Sequence, residues 1–193
     1  MTFKPIEILN AIDKDYQNQI YNFLTDIKFP WHFLDDATNV YINDTQNSTP
    51  SFANLIYHPN NDSNPYLEFF TPLIDEILKK SNLKMTSLIR VRAGFLLNTK
   101  YVLPSMPYKY NEPHKDFEDN HYTAIYYVND ADGDTVIFHE TEKSQQYRPM
   151  HKSRPDKGKV LLFNGQHYHA STCPKMCTKR IAITINFTAT PNE

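Results

Sequence analysis

An α+β fold, with helices gathered in the first half of the chain and closely spaced strands in the second, follows from three observations. Apolar residues recur at helical spacing only before about residue 85. From Thr86 onward the texture changes to short runs rich in Val, Ile, Tyr and Phe. All four glycines, Gly94, Gly133, Gly158 and Gly165, fall in this second half, two of them in turn-like sequences. Helices first and strands afterwards argue for helices covering one side of a sheet core. A chain of 193 residues is most simply one domain, here with residues 1–85 as a helical N-terminal cover and 86–190 as the strand core.

The first element expected is an amphipathic helix over 13–27. Tyr16, Ile20, Phe23, Leu24 and Ile27 follow i, i+3, i+4, i+7 spacing, and Asp13 is a suitable N-cap. The helix stops at Phe29-Pro30, because proline disfavours helical geometry in the residue before it. Trp31, just beyond, is expected to anchor that helix. Residues 35–64, rich in Asn, Asp, Ser, Thr and Pro, read as irregular loops with one or two edge strands. A second helix is predicted over 65–80, with Leu67, Phe70, Ile74, Ile77 and Leu78 on one side and two lysines in the last turn to suit its dipole. Strands are then expected over 88–97, 121–129, 135–139, 159–164 and 180–188. Asp132-Gly133-Asp134 reads as a hairpin turn between two of them, and Lys157-Gly158-Lys159 as a turn leading into another. Strands so closely spaced fit a double-stranded β-helix, or jelly roll, with the N-terminal helices packed on one sheet.

Composition narrows the function. The formal net charge is −2, so no basic stripe points to nucleic acid. The lysines and arginines that gather between Lys143 and Lys159 lie beside Glu142 and Asp156 and read as a solvated loop. The longest apolar run, Ala124 to Val128, is far short of the roughly 20 residues a membrane helix requires. The opening Met1-Thr2-Phe3-Lys4-Pro5-Ile6-Glu7 carries charge where a signal peptide would be apolar, so a cytoplasmic location is expected. Cys173 and Cys177 are the only cysteines. Their spacing beside His167 and His169 admits a zinc reading, but structural zinc pairs come with a second Cys or His pair, and two free loop thiols are expected.

The chemistry-bearing residues are His114-Lys115-Asp116 and, some fifty residues later, a histidine after the run Val160-Leu161-Leu162-Phe163. On extended backbone i and i+2 share a face, so His114 and Asp116 can reach one ion while Lys115 turns away. His167 and His169 have the same parity, and alternation alone leaves both open as the third ligand. Two imidazoles and one carboxylate on one face of a metal are the donor set of a non-haem Fe(II) oxygenase, which keeps neighbouring positions for an organic ligand and O₂. Arg180 opens the run Arg180-Ile181-Ala182-Ile183-Thr184-Ile185-Asn186-Phe187, sharing a face with Ala182 and Thr184. A buried guanidinium needs an anion: either an internal Asp or Glu, or the distal carboxylate of a dicarboxylic co-substrate.

The order H-x-D, His, Arg, each on or beside a strand, resembles the 2-oxoglutarate and Fe(II)-dependent dioxygenases, in particular their prolyl-hydroxylase-like branch. Thr123-Ala124-Ile125-Tyr126-Tyr127-Val128-Asn129, Gly158-Lys159-Val160-Leu161-Leu162-Phe163-Asn164-Gly165 and Arg180-Ile181-Ala182-Ile183-Thr184 carry the likeness, over roughly residues 88–188. The resemblance selects His169, in its His-Ala-Ser setting, as the third ligand of a site formed by His114, Asp116 and His169. It implies that 2-oxoglutarate chelates the iron while Arg180 and the hydroxyl of Tyr127 hold its far carboxylate, with Thr184 adding a hydroxyl nearby and Tyr126 pointing outward. O₂ and, as reductant, ascorbate complete the expected set. The implied activity is hydroxylation of a peptidyl proline or a small amino-acid-like molecule, coupled to decarboxylation of 2-oxoglutarate to succinate. A catalytically inactive or non-oxidative cupin-like metal-binding module is the alternative. One departure stands out: many relatives carry a tyrosine on the strand before H-x-D, and residues 90–97 have none. Tyr101, Tyr108 or Tyr110, from the proline- and aromatic-rich stretch 98–110 read as a lid or substrate loop, are the substitutes.

Overall fold

The computed structural model describes residues 3–38, 49–60, 65–98 and 110–192. Its elements run β1 (Ile6–Ile8), α1 (Lys14–Thr25), β2 (His32–Leu34), β3 (Ser51–Tyr57), α2 (Leu67–Ser81), β4 (Leu83–Leu97), β5 (Tyr122–Tyr127), β6 (Thr135–Phe138), β7 (Pro149–Ser153), β8 (Val160–Asn164), β9 (His169–Ser171) and β10 (Lys179–Pro191). A seven-stranded sheet in the order β1-β8-β5-β10-β4-β3-β2 faces a three-stranded sheet in the order β7-β6-β9. All the pairings are antiparallel. This is the predicted helix-covered jelly roll.

Period-two alternation sorts the large sheet into two faces. Ile181, Ile183, Ile185 and Phe187 of β10, with Ala124 and Tyr126 of β5 and Val160 and Leu162 of β8, face outward into a core shared with Ile20 and Leu24 of α1 and Phe70, Leu73, Ile74 and Ile77 of α2. The other parity, Ile125, Tyr127, Leu161, Phe163 and Ala182, faces inward with Ile137 of the small sheet. The helices thus seal one face, and the space between the sheets is left for a site. Asp13 caps α1 as expected, accepting from the Tyr16 N–H at 2.8 Å. Trp31 anchors the helix by donating from Nε1 to the Leu24 carbonyl at 3.0 Å.

Three expectations are corrected, and the one for Tyr126 is borne out in direction with an addition. Tyr126 does point away from the barrel interior, yet it is fully buried, because the helices cover that face. Asp132-Gly133-Asp134 joins β5 of the large sheet to β6 of the small one, so it is a crossing between sheets and not a hairpin. Gly133 is required there by close approach, since a Cβ would lie 2.4 Å from the Thr172 carbonyl oxygen. The stretch 143–159 holds an edge strand, β7, and its Lys159 is buried between Glu7, at 3.3 Å, and Asp156, at 3.0 Å. Finally, β3 lies inside the sheet, between β4 and the edge strand β2.

Candidate active site

The first ligand is set by a two-residue bridge. His114 and His169 exchange backbone hydrogen bonds, N to O at 3.0 and 2.9 Å, which locks the H-x-D segment against β9. Pro113 before it lacks an N–H, and the next backbone bond to β9 comes from Asn111, whose N–H donates to the Ser171 carbonyl at 2.9 Å. The side chains of His114, Asp116 and His169 then converge, with ligand atoms all within 4.8 Å of one another. Lys115 faces away, toward Glu118 at 2.6 Å.

Both ligand imidazoles have a fixed tautomer. His114 Nδ1 faces the Glu112 carbonyl at 3.0 Å and His169 Nδ1 the His167 carbonyl at 3.3 Å. A carbonyl only accepts, so each Nδ1 carries the proton and each Nε2 presents its lone pair to a metal. Burial, followed by the neighbouring His114, pushes His169 down to about 4 against the pull of Asp116. It is therefore neutral and ready to ligate at neutral pH. His167 turns aside, with Nδ1 on the Phe138 carbonyl at 3.0 Å.

The carboxylate is clamped from behind. Arg90 donates to Asp116 Oδ1 and Asn186 to Oδ2 at 2.8 Å, while Arg90 Nε also holds Asn186 Oδ1 at 3.0 Å. Asn186 donates a second bond to Thr123 Oγ1 at 3.0 Å. Burial alone would raise the Asp116 carboxyl, but Arg90, the two imidazoles and Asn186 outweigh it and keep the group ionised far below the usual carboxylate range. Asn186→Ala removes one arm of this clamp while leaving every ligand in place. The expected result, read by Fe(II) titration, is metal affinity weakened about 10- to 100-fold.

The same cavity is lined by Arg180, Ala182 and Thr184 of β10, Thr135 of β6, Arg92 and Gly94 of β4 and Ser51 of β3. Arg180 is 5% exposed, and no carboxylate pairs with it among the described residues. Its Nη2 donates to Thr135 Oγ1 at 2.8 Å, and its Nε has no hydrogen-bond partner among the described residues. The internal-salt-bridge reading of Arg180 thus finds no partner among the described residues, which leave a buried donor for an anion. Tyr127 is stacked below, its ring 5.6 Å from the guanidinium carbon, and its hydroxyl donates to the same Thr135 Oγ1 at 2.9 Å. Thr135 therefore joins Tyr127 to Arg180, and Thr184 faces the cavity directly. Tyr110 packs on Phe138, at 5.1 Å between ring centroids, in a cluster away from the ligands. Tyr101, Tyr108 and residues 99–109 of the expected lid lie outside the described residues. Cys173 and Cys177 are not joined in a disulfide, and Cys173 Sγ lies 3.0 Å from Thr49 Oγ1.

Arg90, Arg92, Asn186 and Thr135 were not anticipated. Arg90 and Arg92 carried the signal that marked Arg180, a cation alternating with apolar residues on a strand. Asn186 shares parity with Arg180. Nothing local distinguishes Thr135, whose role depends on how the small sheet folds over the large one.

The donor set fits one ferrous ion, and the unpaired Arg180 fits a co-substrate carboxylate. The model of the 2OG-Fe(II) oxygenase superfamily matches residues 103–188, which contain all three ligands and Arg180. No curated protein sequence matches the chain. Among solved structures, a prolyl hydroxylase of Trichoplax adhaerens in complex with a hypoxia inducible factor oxygen degradation domain peptide fragment is similar at 15% identity. It aligns over 95% of this chain and 82% of its own, with a TM-score of 0.61. A Pseudomonas putida prolyl-4-hydroxylase is similar at 14% identity, over 96% and 93% of the two chains, with a TM-score of 0.58. The non-heme alpha ketoglutarate dependent carbocyclase SnoK from nogalamycin biosynthesis, at 10% identity, covers 98% and 82% with a TM-score of 0.67. At these identities the likeness is one of fold.

Proposed function

We propose that this chain, a member of the 2OG-Fe(II) oxygenase superfamily, is a hydroxylase acting on a peptidyl proline or a small amino-acid-like molecule. One observation carries the reading: an intact three-ligand metal set shares a cavity with a buried arginine that has no carboxylate partner among the described residues. His114, Asp116 and His169 would hold Fe(II), and Arg180, with Thr135, Tyr127 and Thr184 around it, would orient the distal carboxylate of 2-oxoglutarate. When bound, iron, 2-oxoglutarate and O₂ supply the oxidation: a substrate C–H, O₂ and 2-oxoglutarate become C–OH, CO₂ and succinate. The protein contributes orientation and exclusion of water. Asp116 stays ionised through its clamp, the carbonyls of Glu112 and His167 hold the Nδ1 side of the two imidazoles, and Ile125 and Ala182 supply apolar wall between the two ends of the cavity. The prolyl hydroxylases among the structural neighbours support a prolyl substrate, and the carbocyclase supports a small molecule.

The test is aerobic turnover with Fe(II), ascorbate and 2-oxoglutarate over proline peptides and free amino acids. Slow succinate release is expected without any prime substrate, rising with the right one, whose product gains a single oxygen atom. Wild-type protein that binds metal and 2-oxoglutarate yet never yields succinate would sink the hydroxylase reading in favour of a cupin-like binding module.

A further inference from the structure

We propose that Arg92 anchors a carboxylate of the prime substrate, so that the molecule hydroxylated is an amino-acid-like free acid and not an internal proline of a peptide. This rests on the hydroxylase reading above and narrows its substrate class.

The argument begins with the register of β4 against β10. Arg90 lies opposite Asn186, Arg92 opposite Thr184, Gly94 opposite Ala182 and Leu96 opposite Arg180. Residues two apart on a strand are about 6.6–6.8 Å apart. Arg92 is thus one inward step from the Arg90–Asn186 clamp on Asp116, and two steps from the row of Arg180. It lines the cavity near the metal end, on the strand that borders β3. Arg180 projects from β10 at the opposite end of the same cavity, beside Tyr127 of β5.

Charge supplies the next step. The residues lining the cavity include two guanidiniums, Arg92 and Arg180, and one carboxylate, Asp116, which is already ion-paired to Arg90. A ferrous ion and a 2-oxoglutarate dianion cancel each other's charge. The filled cavity keeps the charge of Arg180, which faces the co-substrate, and of Arg92. Among the described residues no carboxylate pairs with Arg92, whose hydrogen bond runs to the Ala37 carbonyl at 3.3 Å. Burial and the nearby Arg90 push its guanidinium down to about 10, which still leaves it cationic at neutral pH. A cation held in a half-buried wall favours a second anion, and a guanidinium fork matches a carboxylate in two contacts.

A second observation points the same way. Ser51 of β3 lines the cavity, is 3% exposed, and its hydroxyl has no hydrogen-bond partner among the described residues. The β3–β4 side therefore offers a forked cation and an unspent hydroxyl to the polar groups of an amino acid. An internal proline has two amide linkages in their place and would leave Arg92 uncompensated.

The experiment uses anaerobic protein loaded with Mn(II) and 2-oxoglutarate. It is titrated calorimetrically with the common L-amino acids, their carboxamides, and proline peptides capped at both ends. At least one free acid should bind, and its carboxamide should bind about tenfold more weakly or worse. Arg92→Gln should weaken the acid by about tenfold or more while Mn(II) and 2-oxoglutarate affinities stay within about twofold. Arg92→Lys, which keeps charge but loses the fork, should fall between, and carries the comparison if Arg92→Gln does not fold. Binding of capped peptides in preference to acids, equal binding of acid and carboxamide, or no acid binding overturns the proposal. Loss of 2-oxoglutarate affinity in Arg92→Gln overturns it too, assigning Arg92 to the co-substrate. Failure of the underlying reading looks different: wild-type protein would then bind no 2-oxoglutarate or release no succinate.

Discussion

Asp116→Ala is expected to abolish stoichiometric Fe(II) binding and, with it, all succinate release. The carboxylate is the only anionic member of the ligand set, and its replacement leaves the two imidazoles and the Arg90 guanidinium at the site. The guanidinium that held Asp116 in the clamp is then an unpaired cation a few ångströms from where a dication must sit, so the electrostatic sign at the site reverses. Because removing one partner of a buried ion pair also destabilises the fold, His169→Ala is the companion variant: it removes a ligand and leaves Arg90, Asn186 and Asp116 in place. Both should lose the metal, whereas His167→Ala, whose ring faces the Phe138 carbonyl, should keep it. Retention by His169→Ala together with loss by His167→Ala would reverse the ligand assignment.

How far the site was readable in the sequence follows from how local each residue's role is. His114 and Asp116 are two residues apart on extended backbone, so their common face is a property of the chain itself. His169 could not be separated from His167 by parity. What separates them in the structure is the bridge to His114, a long-range contact, and the sequence approached it only through resemblance. Arg180 was legible because a guanidinium amid Ile and Ala demands a reason. The same logic applies to Arg90 and Arg92, which alternate with Ile89, Val91 and Ala93. The Asp116 clamp needed the β4–β10 register, which no local pattern supplies.

The fold shows the same division. Both helices were readable from periodicity, and Asp13 marks the start of the first. Strands flanked by helices or turns were placed within a few residues. The start of β4 was set at 88 because its first residues carry little alternation, and the register against β10 shifts twice in that region. The three-residue strands β1, β2 and β9 are too short for a period to appear, and β7, as long as β8, is a polar edge strand with only Met150 as a large apolar residue. Tyr126 shows the limit most directly: alternation correctly turned it away from the barrel interior, but only the packing of α1 and α2 makes that outer face a core.

Arg180→Ala separates the co-substrate from the metal, which no ligand variant can do. The side chain is fully enclosed, and burial lowers its guanidinium pKa against the opposing pull of Tyr127. Arginine nevertheless stays charged in proteins. Among the described residues that charge has no carboxylate partner, and its Nε has no hydrogen-bond partner. If the distal carboxylate of 2-oxoglutarate supplies the missing anion, its loss removes a charge-assisted contact worth about 2–4 kcal/mol, or roughly thirty- to a thousandfold in affinity. Thr135 still accepts from the Tyr127 hydroxyl in the variant, so the wall keeps one of its two bonds and the ligand set on the other side of the cavity is untouched. Fe(II) affinity should therefore stay within about twofold of wild type. Arg180→Lys should recover part of the loss, since it restores charge but not the planar fork. Unchanged 2-oxoglutarate affinity in folded Arg180→Ala protein would remove Arg180 from the site. Parallel loss of metal and co-substrate would instead make it a residue that holds the two sheets in register.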